Sequence, residues 1–166
     1  MMRSVSWLVC ATLLWTTACT PNLYKTQQKY FPKPVQDLHF GMTEAEFLQS
    51  HPGLKPTESP TFRIVYLDED VAAPLSGIVY YFDNEGDRPL YEIILIYDKA
   101  TDRDAYVQQA LGAPNHPSAE GEWLFDSGLG YQMNFWTYQS KLILAAAIPG
   151  SEWDENRDGV MDSAVE

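Results

Sequence analysis

Past residue 19 the chain holds no cysteine, since its two, Cys10 and Cys19, both lie near the start. The body of the protein therefore has no thiols for a disulfide framework, a zinc site or a cysteine nucleophile, and its stability must come from a packed core. Positive charge is also scarce: 11 Lys and Arg stand against 23 Asp and Glu, a net charge of −12. That field repels nucleic acid phosphates. There is no Gly-x-Ser-x-Gly elbow and no phosphate-cradling glycine loop, so acyl and phosphoryl transfer have no visible carrier. The 166 residues are 45% hydrophobic and 13% aromatic, which suits one globular domain.

The first segment carries the clearest signal. Arg3 precedes an apolar run from Val5 to Trp15, and Thr16, Thr17 and Ala18 lead into Cys19. A charged start, a short apolar stretch and small residues make an export signal, and the run is well below the ~20 residues of a membrane-spanning helix. Thr-Ala-Cys at its end resembles the lipobox of bacterial lipoproteins, with Thr16 where that family prefers Leu. The resemblance implies cleavage after residue 18 and lipid on Cys19. With Thr20 and no Asp after the cysteine, it implies sorting to the outer membrane, facing the periplasm. Loss of residues 1–18 removes only Arg3 among charged residues, leaving ten basic against 23 acidic and a net charge of −13. Residues 19–37 read as the lipidated cysteine followed by a flexible tether, with Lys25, Lys29 and Lys33, three prolines and no sustained hydrophobic period. Tyr24, Tyr30 and Phe31 are candidates to dock on the domain or on a partner.

From residue 38 to 150 the pattern predicts an α+β domain. Thr43-Glu44-Ala45-Glu46 has the form of a capping box and opens a helix over 43–50, which stops at His51-Pro52-Gly53. Strand-like runs follow at 62–67, 78–82 and 90–98, the last two joined by the turn residues Asp83-Asn84-Glu85-Gly86. A second pass repeats the order. Thr101-Asp102 offers an N-cap, Gly112 and Pro114 stop the helix, and strands at 123–126, 131–138 and 141–148 are separated by short turns. Two tandem αβββ units, about 38–98 and 99–150, predict one antiparallel sheet with both helices packed on one face.

Phe40-Gly41-Met42-Thr43 resembles the helix start, and Leu111-Gly112-Ala113-Pro114 the helix end, of small outer-membrane lipoproteins of the BamE (SmpA/OmlA) type, which share a fold with the β-lactamase inhibitor proteins. The two motifs fall in different repeats here, and the chain lacks the disulfides of the tandem inhibitors. The resemblance implies a non-enzymatic domain that binds another envelope protein through an exposed sheet face and loops.

Catalytic candidates are thin. His39, His51 and His116 are isolated, and the carboxylate groups Asp68-Glu69-Asp70 and Asp83-x-Glu85 sit in turn-like connections where acids are routine. Aromatics say more. In the strand 131–138, Tyr131, Met133 and Phe135 alternate with Gln132, Asn134, Trp136 and Tyr138, so a helix-covered first set leaves Trp136 and Tyr138 on the other face as candidate protein-binding anchors. By the same alternation Tyr91, Ile93, Leu95 and Tyr97 oppose Leu90, Glu92, Ile94 and Ile96. The alternative is burial on both faces within the chain.

At the C-terminus, in the acidic tail 151–166, Asp154, Asn156, Asp158, Gly159, Val160 and Asp162 follow the spacing of calcium loops in EF-hands and related extracellular modules. Oxygens of Asp154, Asn156 and Asp158 would converge, Gly159 permits the turn, and the Val160 carbonyl and Asp162 would complete a weak Ca²⁺ site whose twelfth position is Val165 and not an acid. A solvated acidic tail is the other reading. The expected function is a lipid-anchored, non-catalytic protein-binding or scaffolding component of the cell envelope. The alternatives are an extracytoplasmic hydrolase, a small-ligand-binding lipoprotein or a calcium-responsive module.

Overall fold

One row of side chains organises the molecule. Tyr66, Tyr80, Ile93, Leu144, Phe135 and Trp123 are successive cross-strand partners through all six strands of a single antiparallel sheet, and all are buried. The computed structural model describes residues 23–57, 63–151 and 154. Within them the order is α1 (Lys25–Gln28), a 3-10 turn (Lys33–Val35), α2 (Glu44–Ser50), β1 (Arg63–Asp68), β2 (Leu75–Asp83), β3 (Leu90–Tyr97), α3 (Ala100–Ala110), β4 (Trp123–Asp126), β5 (Gln132–Tyr138) and β6 (Lys141–Ala146). The strands lie in the order β1-β2-β3-β6-β5-β4, so the two three-stranded runs meet at β3 and β6. The fold is thus mixed α and β, with a six-stranded antiparallel sheet and three helices.

Both longer helices serve the same face. Phe47 of α2 and Val107 of α3 belong to one core cluster with the inward row. The start of α2 is as the sequence predicts: Thr43 Oγ1 accepts from the Glu46 N–H at 3.2 Å, and the Glu46 carboxylate accepts from the Thr43 N–H at 2.9 Å. Glu44 ties the helix to the sheet, accepting from Arg88 Nη1 at 2.8 Å and from the Tyr66 hydroxyl at 2.5 Å. Burial, then the neighbouring carboxylate, push the Tyr66 hydroxyl up to about 12. The expected N-cap of α3 differs. Lys99 caps it without a side-chain bond, and Thr101 lies inside the first turn, because β3 ends at Tyr97 and leaves room for only a two-residue connection. Gly112, at φ +71, ends α3 as predicted, its N–H bonding the Val107 carbonyl.

The flexible tether expected over residues 19–37 is corrected from Tyr24 onward. Gln27, Phe31 and Val35, four residues apart, are buried against the core, while Lys25, Lys29 and Lys33 face outward. Phe31 meets Phe40 edge-on at 5.1 Å, Tyr30 stacks on Phe125 at 3.9 Å, and Tyr24 stacks on His39 at 3.4 Å. Thr26 presses on the β4–β5 turn, where Gly128 has φ +77 and a Cβ would lie 3.1 Å from Thr26 Oγ1. These residues are a strap across the helix side of the sheet. Cys19 and the signal segment lie outside the described residues.

Edge strands are exposed templates for pairing, and here both are partly occupied. On β1, Thr57 donates its N–H to the Val65 carbonyl at 2.8 Å. On β4 a single side chain does the work of a strand: Asn115 Oδ1 accepts from the Leu124 N–H at 2.7 Å and its Nδ2 donates to the Leu124 carbonyl at 3.1 Å. Asn115→Ala should therefore cost about 1 kcal/mol in thermal or urea unfolding. It should also raise the proportion of dimer and larger species in sedimentation, whereas an unchanged melting curve with no self-association would refute this role.

Candidate functional site

The sheet's second face starts from alternation and is then modified by two register shifts in the β2–β3 pair, between Leu75 and Gly77 and between Tyr81 and Phe82. Leu67, Val79, Ile94, Ile143 and Trp136 are successive partners across five strands. They point away from the helix side, because their neighbours Tyr66, Tyr80, Ile93, Leu144 and Phe135 point toward it. Four of the five are half-buried, and Ile143, at the centre, is 5% exposed. Beside this stripe runs a second row, Val65, Tyr81, Glu92, Ala145, Asn134 and Leu124, through all six strands. Trp136 and Tyr138 lie on this face as expected, and Tyr138 is 59% exposed at the end of β5.

The expected partition of β3 needs one correction. The register shifts between Tyr81 and Phe82, so that Tyr81 pairs Glu92 while Phe82 pairs Leu90. This bulge turns Leu90 into the core cluster and leaves Tyr91 out of it, near the Tyr81 ring at 6.5 Å. A bulge inserts an unpaired residue and inverts the faces beyond it. Ile93, Leu95 and Tyr97 keep the inward side.

The β4–β5 end of the outer face carries the polar geometry. A cavity of about 180 Å³ is lined by His116, Leu124, Gln132, Asn134, Trp136 and Ala145–Ala147. Its floor is low because Ala145 and Ala147 contribute only methyl groups on this face, while Ala146 between them turns its methyl into the core. Asn134 Nδ2 donates to Glu122 Oε2 at 2.8 Å. A carboxylate can only accept, so this bond fixes the amide's orientation and leaves Asn134 Oδ1 screened from solvent with no partner. Such an orphan acceptor costs about 1–3 kcal/mol, a price a fold carries only for a reason. His116 is also in the lining, and its Nδ1 accepts from the Ser118 and Ala119 N–H groups at 3.2 and 3.0 Å, which leaves the ring's proton on Nε2. In the sequence His116 stands as an isolated histidine and Asn134 only as a polar residue alternating with Trp136, and the run of alanines is the one further signal.

The remaining candidates separate. Asp68 Oδ1 accepts from the Asp70 N–H, and Asp83 Oδ1 from the Glu85 N–H, so both carboxylate groups close local turns. His51 stacks on Phe47 at 4.3 Å, and burial holds His39 below its ordinary range, against the opposing pull of Glu46. On the helix side an apolar hollow of about 530 Å³ lies between the strap and α3, walled by Pro32, Pro34, Leu95, Tyr97 and Tyr106, with Lys33 and Asp102 among its lining. Of the proposed calcium ligands only Asp154 is described. Its carboxylate accepts from the Gly150 N–H at 2.6 Å, and Asn156, Asp158, Val160 and Asp162 lie outside the described residues. Among the described residues there is no group of three or more metal-ligating side chains and no helix long and apolar enough to cross a membrane.

The sequence matches no protein-family model and no curated protein. Among solved structures, the chain is similar to a DUF4309 family protein (YjgB) from Bacillus subtilis subsp. subtilis str. 168, at 20% identity and a TM-score of 0.43, over 75% of this chain and 93% of that one. At that distance the likeness transfers neither activity nor partner.

Proposed function

We propose that this protein is a lipid-anchored, non-catalytic component of the bacterial cell envelope that binds another protein through the outer face of its sheet. The observation that carries the reading is the stripe Leu67, Val79, Ile94, Ile143 and Trp136, on the face opposite both helices and the strap. Contiguous apolar surface rimmed by polar groups is what protein contacts use, and Trp and Tyr are their common anchors. The anchor reading rests on Thr-Ala-Cys at residues 17–19, which would put the lipid of Cys19 in the periplasm-facing leaflet of the outer membrane. With the strap packed from Tyr24, only the four residues 20–23 would separate lipidated Cys19 from folded protein, five Cα-to-Cα steps and a reach of at most about 18 Å. Such a short leash fixes which sides of the domain meet a membrane-embedded partner. We also read the two αβββ stretches as duplicated units. The mirrored strand order supports this, each run of three following its own helix and the last strands of the two runs pairing.

Affinity purification of the full-length lipidated protein from detergent-solubilised envelopes tests the reading. An envelope protein should co-purify, and Trp136→Ala should lower its affinity roughly 30-fold, as expected for an interface anchor worth about 2 kcal/mol. No specific partner, or equal recovery with the variant, would overturn the stripe as the binding surface.

A further inference from the structure

The stripe shares Trp136 with the cavity at its β4–β5 end but leaves the cavity's polar groups unused, and these have a chemistry of their own. We propose that it is a binding site for one neutral sugar residue, either free or within a glycan. Volume sets the first limit. About 180 Å³ is well under the 300–1,000 Å³ of sites for drug-sized ligands, so a single ring fits and a dinucleotide does not. Charge sets the second, because a protein of net charge −12 with Glu122 beside the cavity disfavours phosphorylated or carboxylated ligands.

The polar groups then select among neutral rings. Asn134 Oδ1 is an acceptor with no partner, held in that orientation by the Glu122 carboxylate on the amide's other end. His116 is held in the Nε2–H form by the two backbone amides on its Nδ1, and so presents a donor. Gln132, also in the wall, offers both. Hydroxyl groups donate and accept at the same atom, and adjacent hydroxyls on a pyranose satisfy an interleaved set of this kind. Trp136 supplies the apolar wall. The face of an aromatic ring is negative, and the C–H-rich face of a sugar ring is its natural complement. The methyl floor of Ala145 and Ala147 lets a ring approach the sheet, which larger side chains there would prevent.

The test is a titration of the protein, labelled with ¹⁵N, by methyl glycosides of a hexose and of an N-acetylhexosamine, with adenosine as a neutral aromatic ring of another class. One of the glycosides should give saturable shifts at the Asn134 and Gln132 side-chain amides and the Trp136 indole N–H, with a dissociation constant on the order of 1 mM. Asn134→Leu should weaken binding at least ten-fold, and His116→Ala about five-fold. His116 lies in a loop outside the sheet, so its variant is informative even if Asn134→Leu fails to fold. Neither residue belongs to the apolar stripe, so retained partner capture with lost sugar binding separates this site from the protein-binding reading. The proposal is overturned by absence of saturable shifts with both glycosides, by adenosine binding in their place, or by glycoside shifts that survive both substitutions.

Discussion

Phe47→Ala should lower the free energy of unfolding by about 3–5 kcal/mol, the range for removing an aromatic ring from a closed core. The ring has no exposed surface and lies between His51, Tyr80, Phe82 and Tyr66, at centroid distances of 4.3, 4.7, 5.1 and 5.5 Å. Four rings fixed by sheet register and by a short helix cannot collapse into the space, so the cavity term adds to the lost transfer energy. Phe47 is the buried residue of α2. Against a total of about 5–15 kcal/mol for a domain, the loss should lower the melting temperature by on the order of 10–20 °C. Calorimetry or urea unfolding followed by tryptophan fluorescence reads it. A loss under about 1 kcal/mol would mean that α2 does not close the core. Phe47→Leu, which keeps most of the apolar volume, should recover at least half.

That ring also marks what the sequence could reveal. The capping box opening at Thr43, four residues before Phe47, announces α2, and period-two alternation announces the strands, because half-buried antiparallel strands must alternate. The bulge at Tyr81 and Phe82 was invisible, since no glycine or proline marks it, and it exchanged the faces of Leu90 and Tyr91. The strap was missed for a related reason. Its inward residues recur every four positions, but one is a glutamine and prolines interrupt the backbone, so no hydrophobic period registers. Trp136 and Tyr138 were placed on the correct face by alternation alone. The cavity beside them was not legible, because Asn134 and His116 are 18 positions apart in the sequence numbering and meet only after β4 pairs β5 and the 112–122 loop folds back.

Gln27→Ala should cost about 2–4 kcal/mol, although a glutamine in a lysine-rich N-terminal segment gives no hint of such weight. Gln27 is fully buried. The Phe40 N–H donates to its Oε1 at 2.9 Å, and since a backbone N–H can only donate, the amide nitrogen is turned toward Tyr131, whose hydroxyl accepts at 2.7 Å. That hydroxyl in turn donates to the Phe40 carbonyl at 2.9 Å. The bonds fix the direction of each group, so the three residues lock the strap, the pre-helix loop and the turn leading into β5 in a single arrangement. Burial pushes the Tyr131 hydroxyl up to about 12, with the Gln27 bond pulling the other way, so the network stays neutral across the working pH range. Alanine would leave the Phe40 N–H without its acceptor and open a cavity, two penalties of about 1–3 kcal/mol that add only in part. Gln27→Met separates them. It restores the volume while restoring neither bond, so it should remain at least about 1.5 kcal/mol below the parent. Hydrogen exchange at the Phe40 amide should accelerate in both variants by more than the global destabilisation predicts. If methionine matched the parent protein in both readings, the strap would be held by the packing of Tyr24, Tyr30, Phe31 and Val35, and the hydrogen-bonded lock would have no energetic role.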